Sequence, residues 1–96
     1  MNIEKFKEEL EQIGFKVWNT GGNCLAYGYL ISYTSSLNKG NVEIEILVTE
    51  VDGPGIDFDE QGVLVGIGED DNVQQFKQLD EAIKYIKDNI DYYEEK

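Results

Sequence analysis

The chain opens on a helical pattern. Ile3, Phe6, Leu10 and Ile13 recur at three- and four-residue spacing, while Glu4, Lys5, Glu8, Glu9 and Glu11 fall on the other side. That spacing predicts an amphipathic helix, with Asn2 suited to cap its start and Gly14 to stop its end. The period then changes to two. In "FKVWNT", Phe15 and Val17 alternate with Lys16 and Trp18, and "TGGN" supplies residues that accept positive φ, so a strand and a hairpin turn are predicted. "CLAYGYLISYT" sorts by parity into a large set (Leu25, Tyr27, Tyr29, Ile31, Tyr33) and a small set (Cys24, Ala26, Gly28, Ser32), with Leu30 the exception.

"SSLNKGN" reads as a loop. In the following "VEIEILVTEV", Val42, Ile44, Ile46 and Val48 oppose Glu43, Glu45, Leu47 and Thr49, until Glu50 and Val51 break the phase and predict a bulge or a strand end. "DGPGIDFDEQG" reads as a solvated loop, because Gly-Pro-Gly cannot continue a ladder and the flanking acids favour water. "VLVGIG" is a short buried strand, "EDDN" a turn and "VQQFKQ" a last strand. From about Leu79 the stripe Leu79, Ala82, Ile83, Ile86, Ile90 predicts a closing helix whose Asp80 and Glu81 suit its N-terminal dipole. The order α-β-β-β-β-(β)-α predicts a single α+β domain over residues 1–96. Its expected core is an antiparallel meander of four to five strands with both helices on one face and the other face open.

Charge is spread unevenly over this framework. The 96 residues carry 20 acids, 8 lysines, and neither arginine nor histidine, for a net charge of −12. Residues 1–41 hold as many lysines as acids, so the whole excess falls in residues 42–96, and no base stands between Lys39 and Lys77. Such a field repels nucleic acid and anionic membrane and draws in basic protein surfaces; its other reading is solubility alone. Without histidine, most hydrolase and zinc chemistries are disfavoured. The single Cys24, the absence of a leader-like apolar run and the lack of any span-length apolar stretch lead to the expectation of a cytoplasmic protein with no membrane contact.

Several groups invite a chemical reading. Asp52, Asp57, Asp59 and Glu60 bring oxygen ligands close together in one loop, but their spacing departs from a calcium loop. Glu43 and Glu45 resemble the carboxylate pair of a glycosidase, yet they are neighbours on one strand face and 96 residues scarcely frame a cleft. "TGGN" lacks the lysine and helix of a phosphate loop, and Cys24 has no histidine to activate it. No enzyme activity, metal or cofactor is therefore expected. Two binding surfaces are. One is acidic: Glu43, Glu45, Asp57, Asp59, Glu60, Glu69, Asp70 and Asp71. The other is the aromatic row Tyr27, Tyr29 and Tyr33, expected on the open sheet face beside Glu43 and Glu45, since tyrosine is common where proteins bind proteins; the competing reading puts these tyrosines in the core under the helices.

At "VWNTGGNCLAYGYL" the chain resembles small proteins of phages and mobile elements in which a tryptophan, a Thr-Gly-Gly turn and a polar-to-apolar strand precede an acidic meander. The match rests on Trp18, Thr20, Gly21, Gly22, Asn23 and Cys24. In size, acidity and layout the chain is also similar to anti-CRISPR proteins. That resemblance implies a non-enzymatic inhibitor that places carboxylates where phosphates would go, blocking the basic groove of a nucleic-acid-binding effector such as a CRISPR-Cas component without binding nucleic acid itself. The alternatives are a domain that pairs through its tyrosine face, as a homodimer among other forms, and an immunity protein against a basic nuclease toxin.

Overall fold

The first helix, α1 (Ile3–Ile13), forms where the apolar spacing places it. The Asn2 side chain accepts a hydrogen bond from the Lys5 N–H at 2.8 Å, a cap that contributes about 1 kcal/mol. At the other end Gly14, with φ at +123°, turns the chain out of the helix while its N–H still donates to Leu10 and Glu11. Five strands follow: β1 (Lys16–Gly21), β2 (Cys24–Thr34), β3 (Asn41–Glu50), β4 (Val63–Ile67) and β5 (Val73–Phe76), and then the closing helix α2 (Leu79–Glu94). The computed structural model describes residues 1–22, 24–34, 41–51, 55–68 and 73–94.

Each strand pairs antiparallel with its chain neighbour, in the order β1-β2-β3-β4-β5, so the sheet is a meander with β1 and β5 at its edges. The ladder between β1 and β2 slips between Asn19 and Gly21, just before the turn. β3 ends at Glu50, where the alternation fails, and the Glu50 N–H donates to the Gly55 carbonyl at 2.9 Å.

Register decides which residues share a face, because directly opposed residues on antiparallel strands point the same way. Tyr27 opposes Val48, Tyr29 opposes Ile46 and Ile31 opposes Ile44; Ile46 and Val48 in turn oppose Ile67 and Val65. These side chains form one core with Phe6 and Leu10 of α1 and Ala82, Ile83, Ile86 and Ile90 of α2. Both helices therefore pack on one face, giving the α+β architecture that the element order predicts.

The tyrosine row lies on that covered face. Tyr27 is only 4% exposed and belongs to the core, and Tyr29 packs against it from the margin. The expectation that Tyr27 and Tyr29 share an open face with Glu43 and Glu45 is corrected by the register, which opposes Glu43 to Ser32 and Glu45 to Leu30, on the other side of the sheet. The reason is area. Large side chains remove more apolar surface from water, so the large-residue face is the one the helices cover.

A second correction concerns the acidic loop before β4. Phe58 within it is buried, with its ring edge-on to Phe6 at a centroid distance of 5.5 Å, and Ile56 packs against the same core. The loop is thus folded onto the end of the core rather than simply solvated. Phe58→Ala is expected to lower unfolding stability by about 3 kcal/mol, against about 0.5 kcal/mol or less for a residue in a solvated loop. Urea denaturation at constant m-value reads the difference.

Candidate functional site

Among the described residues no helix covers the second face of the sheet, and its composition follows from the same register. Trp18 stands opposite Ala26, Lys16 opposite Gly28, Gly28 opposite Leu47, Leu47 opposite Gly66, and Gly66 opposite Val73. Leu30 and Leu64 stand beside this row. Leu30 is 46% and Val73 55% exposed, so the face holds apolar side chains that remain in water.

Trp18 has a fixed place on it. A Cβ built on Gly28 would run into the Cε3 and Cδ2 atoms of the indole, so the ring lies against the backbone of β2 where only glycine leaves room. Val73 leans over Gly66 in the same way but less tightly, at 3.4 Å from the position a Cβ would take. The parity of β2 shows the small set in the sequence; that it leaves room for a tryptophan from the neighbouring strand follows only from the register.

The acidic residues singled out from the sequence do not converge on one patch. Glu43 and Glu45 are exposed on the uncovered face beside Ser32 and Leu30. Asp57, Asp59 and Glu60 are exposed in the loop that carries Phe58, on the helix side, and Asp59 and Glu60 line a recess with Asn2, Lys77 and Asp80. Asp59 is committed to its own turn, its carboxylate accepting the Gln61 N–H at 2.9 Å. Glu69, Asp70 and Asp71 lie outside the described residues, as does the side chain of Tyr33.

Carboxylates also line the helix layer. Between α1 and α2 a groove of about 460 Å³ is bordered by Glu9, Asp80, Asp88 and Asp91, with Lys84 and Lys87 among them. Among the described residues the one ion pair joins the amino group of Met1 to Asp80 at 3.9 Å, and no three or more acidic, cysteine or histidine residues gather in a group suited to a metal. No helix of the described chain is long and apolar enough to cross a membrane.

One polar contact ties the two layers together. The Tyr29 hydroxyl donates to Glu94 Oε1 at 3.0 Å, pinning the last turn of α2 to β2. Burial first, then the accepting and negatively charged Glu94 carboxylate, push the Tyr29 hydroxyl above its ordinary value of 10.0. Tyr27 moves the same way, through burial and then the charge of Glu11. Set beside protein-family models, curated proteins and solved structures, the chain matches none of the three.

The two tyrosine shifts carry a pH dependence with a definite sign. A hydroxyl whose pKa is raised by folding contributes stability that is fully present below pH 10.0 and is lost as pH rises through the folded-state value. Thermal melts followed by circular dichroism are therefore expected to fall in midpoint above that pH. Tyr29→Phe should flatten the fall and leave the part due to Tyr27, while costing about 0.5–1 kcal/mol at neutral pH for a partly exposed hydrogen bond.

Proposed function

We propose that the chain is a non-enzymatic binding protein whose carboxylates engage a basic protein surface, blocking the groove of a nucleic-acid-binding effector as a phosphate backbone would fill it. The observation that carries this reading is the lack of internal neutralisation. Among the described residues the only ion pair is made by the terminal amino group, so the lysines leave the surface acids unpaired. Among the described residues no charged side chain is buried either, and their acidity is presented to whatever approaches. A surface of this kind speeds encounter with lysine- and arginine-rich partners and repels nucleic acid itself. A CRISPR-Cas component and a basic nuclease toxin are targets with the same electrostatics, and the proposal covers both as proteins that bind nucleic acid through a cationic groove.

The acids act in this reading as separate clusters: Glu43 and Glu45 from β3, and Asp57, Asp59 and Glu60 from the loop. Each surface pair contributes about 0.3 kcal/mol, so neutralising five of them removes roughly 1.5 kcal/mol, about tenfold in affinity. The test immobilises the domain, captures basic nucleic-acid-binding proteins and elutes with a salt gradient. A partner released at moderate salt, displaced by DNA or RNA, and held about tenfold more weakly by the variant with all five acids changed to amides is the expected outcome. Retention unchanged in that variant, or indifferent to salt, would overturn the reading.

A further inference from the structure

We infer that the uncovered sheet face is the docking surface for an amphipathic, basic helix of the partner protein, with the Trp18 indole as its anchor. This deepens the reading above and rests on it: the partner is basic, and it must also bring apolar side chains.

Three observations converge on that face. First, the register lays Lys16, Gly28, Leu47, Gly66 and Val73 in one row across the sheet; the Trp18 indole, from the neighbouring pair on β1, reaches over Gly28, and Leu30 and Leu64 flank the row. Four interstrand steps of about 4.8 Å make a strip about 19 Å across. In so acidic a chain, an apolar strip with Leu30 at 46% and Val73 at 55% exposure is not needed by the core cluster under the helices, which lies on the other side; on this side Ala26, opposite Trp18, is buried. Second, Trp18 is held in place. Its ring rests on Gly28 and, among the described residues, has no hydrogen bond or ring partner. A tryptophan already fixed loses little freedom on binding, and tryptophan is the residue type that most often dominates binding energy.

Third, the charge on the face selects the occupant. Glu43 and Glu45 edge the strip beside Leu30, and among the described residues Lys16 is the only base on that side. A partner helix with leucine-like residues along one line and arginine or lysine beside them satisfies both parts, its cations pairing with the two glutamates or lying over the indole. A second copy of the chain does not, because it would bring a net −12 and the same two glutamates to the contact. A helix suits the surface because the indole and Val73 lie down over Gly28 and Gly66, so that with Leu30, Leu47 and Leu64 they offer one apolar strip to the apolar side of a helix.

Trp18 is the only tryptophan in the chain, so its emission reports on this face alone. The probes are a helical peptide with leucine on one face and arginine on the other, a scrambled peptide of the same composition, and oligo-arginine. The amphipathic peptide is expected to shift Trp18 emission to the blue and to bind about tenfold more tightly than either control. Leu30→Asp and Val73→Asp, at positions already exposed, should each weaken it about tenfold, Val73→Asp with the melting temperature unchanged and Leu30→Asp with a small fall because its carboxylate stands opposite Glu45. If oligo-arginine binds as well as the amphipathic peptide, with emission unchanged and Leu30→Asp without effect, the face is not the site and the basic-partner reading stands without it. If none of the peptides binds, both fall. A concentration-dependent mass by sedimentation, abolished by Leu30→Asp, would make the occupant a second copy and overturn the inference.

Discussion

Phe6 and Leu10 of α1 and Ile83, Ile86 and Ile90 of α2 bury their stripes against Tyr27, Ile46, Val48 and Val65, and the rest of the molecule is arranged around that contact. The described residues form two helices, enough to cover one face of a five-stranded sheet. The hydrophobic gain is largest when the bulky side chains lie underneath, so the tyrosine-bearing parity of β2 faces inward and the small parity faces out. The loop after β3 closes the end of the same core by inserting Phe58 against Phe6 and Tyr27, and Tyr29 fastens the last turn of α2. The open face is what remains once this layer is filled.

Much of this could be read from the chain. The helical stripes, the Asn2 cap, the Gly14 stop, the end of β3 at Glu50 and the start of α2 at Leu79 are all local, and local periodicity places them correctly. What it cannot supply is which face of a strand meets the helices. Parity divides β2 into two sets without saying which one is covered, and that is why the sequence leaves the tyrosine row open between the uncovered face and the core, where Tyr27 and Tyr29 lie. Phe58 was hidden for a different reason. Its neighbours Asp57, Asp59 and Glu60 make the loop read as solvated, yet a single aromatic side chain can reach the core while the carboxylates around it stay in water. The place of Trp18 over Gly28 depends on a pairing register between two strands, which no single segment encodes.

Charge and burial are kept apart in this protein. Among the described residues the buried side chains are all hydrophobic, and the acids are carried outside the core on the helices, on the outward positions of β3 and in the loop. The separation lets one sequence satisfy two demands with little conflict, since no carboxylate has to be desolvated to complete the core. It also means that the acidity places little constraint on the fold. The same framework would tolerate a different distribution of surface charge, so the fold alone does not account for the one observed.

The meander also fixes the order in which the molecule can assemble. Every ladder joins neighbours in the chain, so the strands can pair as soon as they exist, at small loop-closure entropy. The core is different, because its second helix comes last. Until α2 has been synthesised, the inward face of the sheet has only α1 to shield it, with Ile46, Val48, Val63 and Val65 facing water. A nascent chain that stops short of α2 therefore displays two apolar faces instead of one, and is the form in which this acidic protein is most exposed to aggregation and to proteolysis.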